Sequence, residues 1–455
     1  MIESIKKAFN FRGGVHPPEY KKIAADKPIT QGPVPAEIAV LLRQHIGAPP
    51  KTIVEKNDEL IEGQTLAEAG GFVSAPVHSP VKGKLKNIAL KSNPIHQRAQ
   101  AFIIAPDPDN PQRIPAPEKF DAAIDISNYK DIDIEQAVSD AGIVGMGGAG
   151  FPTHVKIHPD PENKRKHLII NACECEPYIT CDYRLMLEWT DQVILGVRLA
   201  KKACDAPQAT IAIEDNKPQA IKTIADALKK LPADENISVT ALKTKYPQGG
   251  ERQLIKAVLN QQVPTGKIPP MIGIVVLNVA TVAAIADAVI LKNPLTHRVV
   301  TVTGQSVINP GNYYCAIGTS VRQILDHVQL NSENAVRVLL GGPMMGLAIT
   351  DMQTPITKTT NAITVLSEKE IGKNKFNQKT TPCIRCGRCL DACPEGLNPT
   401  KIAHAVKVND IDTAKDFFMS ACIECGCCSY VCPANINLTG YIKIGKAIAN
   451  KQKQK

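Results

Sequence analysis

The chain has 455 residues and a mass of 49.1 kDa, with 44% hydrophobic and 21% charged residues. That balance excludes a disordered or fibrous chain, and the length allows about three or four domains. Lys and Arg outnumber Asp and Glu by 53 to 44, a diffuse +9 suited to an anionic surface or acidic partners, while 4% aromatics is too few for a stacking nucleic-acid binder.

The first hundred residues are punctuated by glycines and prolines, including Gly13, Gly14, Pro17, Pro18, Gly32 and Pro33, which predicts short strands and loops. Residues 52–66 (TIVEKNDELIEGQTL) and 73–90 (VSAPVHSPVKGKLKNIAL) each read as a strand pair with a turn. Together they resemble the halves of a lipoyl/biotinyl-type barrel-sandwich. Carrier domains of that type hold their prosthetic group on a hairpin lysine. No Lys occurs from Ala67 to Val81, so a structural role is expected. Residues 105–118 carry five prolines and read as a linker.

From about residue 130 strands and helices alternate. Strands are expected at His167–Asn171, Thr210–Glu214 and Ile237–Leu242. Helices are expected at Ile134–Ala141, Arg184–Ala203, Pro218–Lys230 and Glu251–Leu259. This order argues for a parallel α/β sheet. Residues 271–291 (MIGIVVLNVATVAAIADAVIL) are long enough to span a bilayer, but Asn278, Thr281 and Asp287 interrupt them. A β-branched first half and an Ala-rich second half fit a buried strand turning into a helix at Asn278. Residues 297–346 then read as a small α+β module with one helix, Val321–Val328. One helical pattern (Ile402 to Phe418) follows, between two cysteine clusters, and the chain ends in a basic tail, KIGKAIANKQKQK.

Of 14 cysteines, nine lie from Cys383 onward. The N-terminus lacks an apolar signal region, so a reducing compartment is expected, where dense thiols hold metal. Cys383, Cys386, Cys389 and Cys393 follow C-x2-C-x2-C-x3-C before Pro394, and Cys422, Cys425, Cys428 and Cys432 repeat it before Pro433. This is the bacterial ferredoxin run, in which the fourth thiolate completes the other cluster. Two [4Fe–4S] clusters are expected: one on Cys383, Cys386, Cys389 and Cys432, the second on Cys422, Cys425, Cys428 and Cys393. Structural zinc favours two C-x2-C pairs instead. Cys427 reads as a packing residue, and Cys173, Cys175 and Cys181 as unligated.

Residues 145–156 (GMGGAGFPTHVK) contain G-x-G-x-x-G, but the preceding helical stretch is wrong for a dinucleotide fingerprint. The glycines fit either a phosphate cradle or a tight turn.

This segment resembles the flavin-binding glycine loop of the 51-kDa NADH-oxidising subunit family of respiratory complex I. NACECEP at 171–177, YPQGGERQL at 246–254 and LNVAT at 277–281 are similar to further motifs of that family, in order. GGVHPPEYK at 13–21, ECEPYITCDYR at 174–184, GGPMMG at 341–346 and the doubled ferredoxin run narrow the resemblance to the RnfC family of the Rnf/Rsx electron transport complexes. It implies a multidomain α/β chain. Residues 1–115 would hold the barrel-sandwich-like β domain and 116–292 the parallel α/β flavin domain. A β-grasp (SLBB-like) module would occupy 293–365 and an α-helical two-cluster ferredoxin domain 366–455. The resemblance also implies an oxidoreductase component of an ion-translocating membrane complex, peripheral on the cytoplasmic side of the inner membrane. It would exchange electrons between NAD(H) and two [4Fe–4S] clusters through FMN, with the complex's other subunits, its ferredoxin-like subunit among them, as partners.

Carried onto this sequence, Gly145, Gly147 and Gly148 would form the phosphate loop, with Lys156 near the flavin. Asn171 and Glu174 would line the isoalloxazine and Glu176 the nicotinamide side. Tyr246, Gly249 and Glu251 would form the opposite wall, Asn278 and Thr281 would reach the ribityl phosphate, and Phe151 would stack on adenine. Cys173, Gly250 and Leu277 depart from the complex I pattern. A soluble flavin/iron–sulfur diaphorase without ion coupling, and a non-catalytic electron wire, remain as alternatives.

Overall fold

In the computed structural model, residues 8–94, 97–109, 113–371 and 379–453 are described. A parallel sheet organises the middle of the chain. Its strands run in the order Ile237–Leu242, Ala209–Glu214, His167–Ala172, Ile274–Asn278. All but the first are almost wholly buried, as near-continuous apolar runs require when helices cover both faces. Helices Thr190–Ala203 and Val279–Leu291 belong to one core and Glu251–Leu259 to another. The first two helices approach so closely that a Cβ on Gly196 would collide with the Val282 carbonyl. Chain order reverses between the third and fourth strands, so a crevice opens beyond their carboxyl ends, where Asn171 and Asn278 are paired in register.

The 271–291 segment is a strand followed by a helix whose N-cap, Asn278, accepts from the Ala280 amide. No helix among the described residues is long and apolar enough to cross a membrane. The stretch expected as one helix from Arg184 to Ala203 is two, Cys181–Glu188 and Thr190–Ala203. They part because Glu188 accepts the Ile29 amide and Trp189 packs edge-on against Tyr314, 5.8 Å between centroids.

Two small antiparallel sheets near the N-terminus enclose a core of Ile38, Leu60, Leu66, Leu85, Phe102 and Ile104. A six-stranded mixed sheet forms the module after residue 296, and Ile29–Gln31 adds to its edge from far earlier in the chain. Lys358 is buried where these parts meet, donating to the carbonyls of Pro76 (2.8 Å) and Gly142 (2.7 Å). Burial lowers its pKa to about 7.

Between the cysteine runs the expected single helix is two, Pro399–Lys407 and Ile411–Asp416, separated at Asn409, whose φ is +59°. Most of the expected basic tail lies in a helix, Leu438–Lys453, packed through Ile442 and Ala449.

Candidate functional site

The two cysteine runs fold into loops related by an internal repeat. Arg385 and Glu424 have φ of +56° and +59°, and Gly387 and Gly426 have +79° and +83°. The Arg385 and Glu424 amides point at the sulfurs of Cys383 and Cys422, at 3.4 and 3.3 Å. The Thr400 and Thr439 hydroxyls lie 2.9 and 3.5 Å from the sulfurs of Cys389 and Cys428.

These loops shape two separate cavities. One, of about 390 Å³, is lined by Cys383, Cys386, Cys389 and Cys432, and the other, of about 340 Å³, by Cys393, Cys422, Cys425 and Cys428. Each thus gathers three sulfurs from one run and the fourth from the other. No disulfide joins any cysteine among the described residues. Four convergent sulfurs with amides aimed at them fit a [4Fe–4S] cluster and its charge. Cys427 is also buried beside the second cavity, but its thiol points to the Tyr246 carbonyl, 3.9 Å away.

The crevice beyond the parallel sheet is a cleft of about 1080 Å³. Gly147, Asn171, Glu174, Glu176, Tyr246, Gly249, Glu251 and Asn278 line it together. The glycine loop enters held at both ends: the Gly145 amide donates to Phe151 (2.8 Å), and the Met146 amide to the Thr281 hydroxyl (3.0 Å). The amides of Gly147, Gly148 and Ala149 find no partner among the described residues. A row of free N–H groups at the mouth of a cleft suits a phosphate. Lys156 sits behind the wall, donating to Glu251 (3.0 Å) and the Val276 carbonyl (3.1 Å). Gly145, Gly148, Phe151, Lys156 and Thr281 lie outside the lining residues, as neighbours or supports of the cleft.

The opposite wall is a carboxylate chain. Glu174 accepts from the Asp182 amide (2.7 Å), and Asp182 accepts from the Asn278 side chain (2.6 Å). The second Glu174 oxygen, Oε2, is buried without a partner. Burial raises the Glu174 and Glu176 carboxyls to about 7. Burial also raises the Cys173 and Cys181 thiols, and pushes Cys175 up to about 12.

Two lysines, Lys21 half-buried and Lys217 buried, fix this wall. Lys21 donates to the carbonyls of Glu174 (2.8 Å), Glu176 (2.9 Å) and Ile179 (2.7 Å). Lys217 donates to the Cys173 carbonyl (2.6 Å) and to Glu214 (3.0 Å). Lys21 closes the motif GGVHPPEYK, whose other residues bridge distant parts. Gly14 donates to Ala392 (2.9 Å), Val15 exchanges two backbone bonds with Tyr246, and Tyr20 stacks on Tyr178 at 4.8 Å. Gly13 must be glycine: with φ at +71°, a Cβ would sit 2.6 Å from the Cys393 carbonyl oxygen.

The cleft and the second cysteine cavity share a border. Ile423 lines both. Tyr246 donates its hydroxyl to the Cys425 carbonyl (2.8 Å) and lies 3.4 Å from Glu176, while Gln253 donates to Glu395 (2.6 Å). Glu176 accepts the amides of Met344 (3.1 Å) and Met345 (2.8 Å), which draws the GGPMMG turn to the cleft. Sequence reasoning missed Gln253, Met345, Asn361 and Ile423 as lining residues, and Lys21 as the clamp. For Lys21 the available signal was the first of two lysines closing a proline-rich motif.

Family models match the chain in four places: the RnfC barrel sandwich hybrid domain at 9–109, the Nuo51 FMN-binding domain at 138–287, the SLBB domain at 299–348 and the 4Fe-4S dicluster domain at 361–436. The C subunit of the proton-translocating ferredoxin:NAD(+) oxidoreductase complex of Clostridium ljungdahlii is 40% identical over 397 residues, 87% of this chain and 84% of the relative. The C subunit of the Na(+)-translocating ferredoxin:NAD(+) oxidoreductase complex of Acetobacterium woodii is 38% identical over 86% of each chain. The C subunit of the ion-translocating oxidoreductase complex of Rhodobacter capsulatus is 37% identical over 90% of this chain and 77% of its own. A solved NAD+-reducing [NiFe]-hydrogenase chain aligns with a TM-score of 0.49 and 21% identity, over 68% of this chain and 57% of that one, too distant to carry an argument.

Proposed function

Because the chain belongs to the RnfC family, the C subunits of ion-translocating ferredoxin:NAD(+) oxidoreductase complexes, we propose that it exchanges electrons between NAD(H) and the rest of such a complex, through FMN in the cleft and two [4Fe–4S] clusters in the cysteine cavities. A bound flavin supplies the conversion between a two-electron hydride carrier and one-electron centres. The observation that carries the reading is the shared border at Ile423. It joins the cleft to the Cys393/Cys422/Cys425/Cys428 cavity, and the Cys383/Cys386/Cys389/Cys432 cavity, which shares no lining residue with the cleft, would come last in the route.

Within this reading, the Gly147 and Gly148 amides hold the phosphate and Lys156 adds positive charge behind it. Asn171 and Glu174 orient the ring system, Glu174 by sharing a proton through its unpartnered Oε2. Glu176, Tyr246 and Met345 shape the side open to the nicotinamide, and Gly249 lets the ring approach the wall. Gly145, Phe151 and Thr281 hold the loop. Ile423 and Tyr246 exclude water between cleft and inner cavity. The chain would dock as a peripheral subunit on the cytoplasmic face, its net +9 charge favouring an anionic membrane surface.

Anaerobic purification followed by iron, sulfide and flavin assays tests this. About eight irons and one flavin per chain are expected from the sites proposed, with NADH bleaching the flavin absorbance. Full iron with no flavin, under conditions where added FMN also fails to bind, would remove the cleft from the route.

A further inference from the structure

The two cysteine loops are near copies, yet one faces the cleft and the other faces solvent. Ile423 and Ile384 occupy the same place in the repeat, one residue after the first cysteine of each run. Ile423 is partly buried against the cleft. Ile384 is 66% exposed, and Leu390 in the same loop is 36% exposed. Cys383 and Cys386 are exposed as well, whereas their counterparts in the repeat, Cys422 and Cys425, are half-buried and buried. Where the inner loop has Glu424 and Cys427, the outer loop has Arg385 and Arg388. Glu424 is neutralised by Lys446 at 2.6 Å, but neither arginine has an ion-pair partner among the described residues. Asp391 is the acid in this loop.

We propose that the Cys383–Cys389 loop is the docking face for an acidic one-electron carrier protein, which seats on Ile384 and Leu390 between Arg385 and Arg388. The inference rests on the reading above for its redox context. The inner loop supplies the precedent: its isoleucine is covered by the redox cleft of the same chain. The outer isoleucine has the same backbone setting with no cover among the described residues, so its complement comes from another molecule. Two unpaired guanidinium groups beside an apolar knob select a carboxylate-rimmed partner and steer its approach.

The test titrates the cluster- and flavin-loaded full chain with an oxidised, strongly acidic two-cluster ferredoxin. Binding should weaken about tenfold or more in R385E/R388E, and the wild-type affinity should fall with added salt. A positively charged cytochrome c should bind the variant better than the wild type. I384S should weaken ferredoxin binding without loss of iron, whereas K222E/K230E, an equal charge change on and just past the flavin-domain helix Pro218–Leu228, should leave it unchanged. No ferredoxin binding by the wild type, equal binding by R385E/R388E, or equal loss in K222E/K230E would overturn the proposal. NADH-dependent reduction of a small viologen dye, which needs no docking face, reports separately on the redox reading. Its absence beside normal ferredoxin binding would sink that reading alone.

Discussion

The cysteine cavities and the cleft are built on opposite plans. Each cavity is made within the one segment that carries both cysteine runs, and its four sulfurs are set by two repeats of a single local pattern. The cleft is drawn from the glycine loop, the 171–182 wall, the 246–253 loop, Asn278, the 341–346 turn and Ile423. The first kind of site is closed by metal ligation within its own segment. The second depends on lysine clamps that hold distant loops in place. Damage should therefore stay local in one and spread in the other.

The sharpest break is Cys393→Ser. If ligation is crossed, it removes the inner cluster, halves the iron, and lowers NADH-to-protein electron transfer by roughly a hundredfold or more while dye-accessible flavin stays bound. The double substitution with Cys425→Ser should be no worse, because both thiols serve one centre. Iron counting and electron paramagnetic resonance would decide, and loss of both clusters in the double variant would refute crossing.

Lys21→Met comes next. It strips a donor from three partly buried carbonyl bonds, each worth about 0.5–1.5 kcal/mol. Flavin content should fall severalfold with iron retained, the converse of the cysteine variant. Retained flavin would show that the wall stands without its clamp. Lys156→Ala acts only from behind the wall, so FMN affinity should drop about tenfold or less, as for one partly exposed charge. Unchanged affinity in an FMN titration would remove Lys156 from the phosphate site.

The smallest effect is a pH slope. Burial lowers Lys358 from 10.5 to about 7, so between these values the unfolded chain holds a proton that the folded chain lacks. This group's contribution to stability therefore rises as pH climbs from about 7 toward 10.5. Lys358→Met should flatten that rise in urea midpoints measured across the range. An unaltered slope would mean the lysine stays charged between its two carbonyls.

Most of the cysteine domain was legible because ligand spacing is a local property. The same holds for the strand that turns at Asn278, where apolar periodicity changes within a few residues. The glycine loop was legible only as two alternatives, since its unpaired amides gain meaning from the strand ends beside it. Lys21, Gln253 and Met345 each sit in or beside a quoted motif, but their roles come from contacts with distant parts of the chain that no local pattern reveals. The C-terminal helix was hidden by its lysines, which obscured the spacing of Leu438, Ile442 and Ala449. The break at Trp189 came from an edge strand that helical pattern alone does not reveal.

The arm that carries Gly13, Gly14 and Lys21 has a consequence for assembly. One end of it hangs on the backbone of Ala392 and Cys393, beside a cluster ligand, and the other clamps the cleft. Translation delivers the arm long before its anchor, so a nascent chain cannot finish the cleft until the cysteine domain emerges. A chain cut short before that domain would lack one end of the tie that clamps the cleft, whatever the supply of flavin.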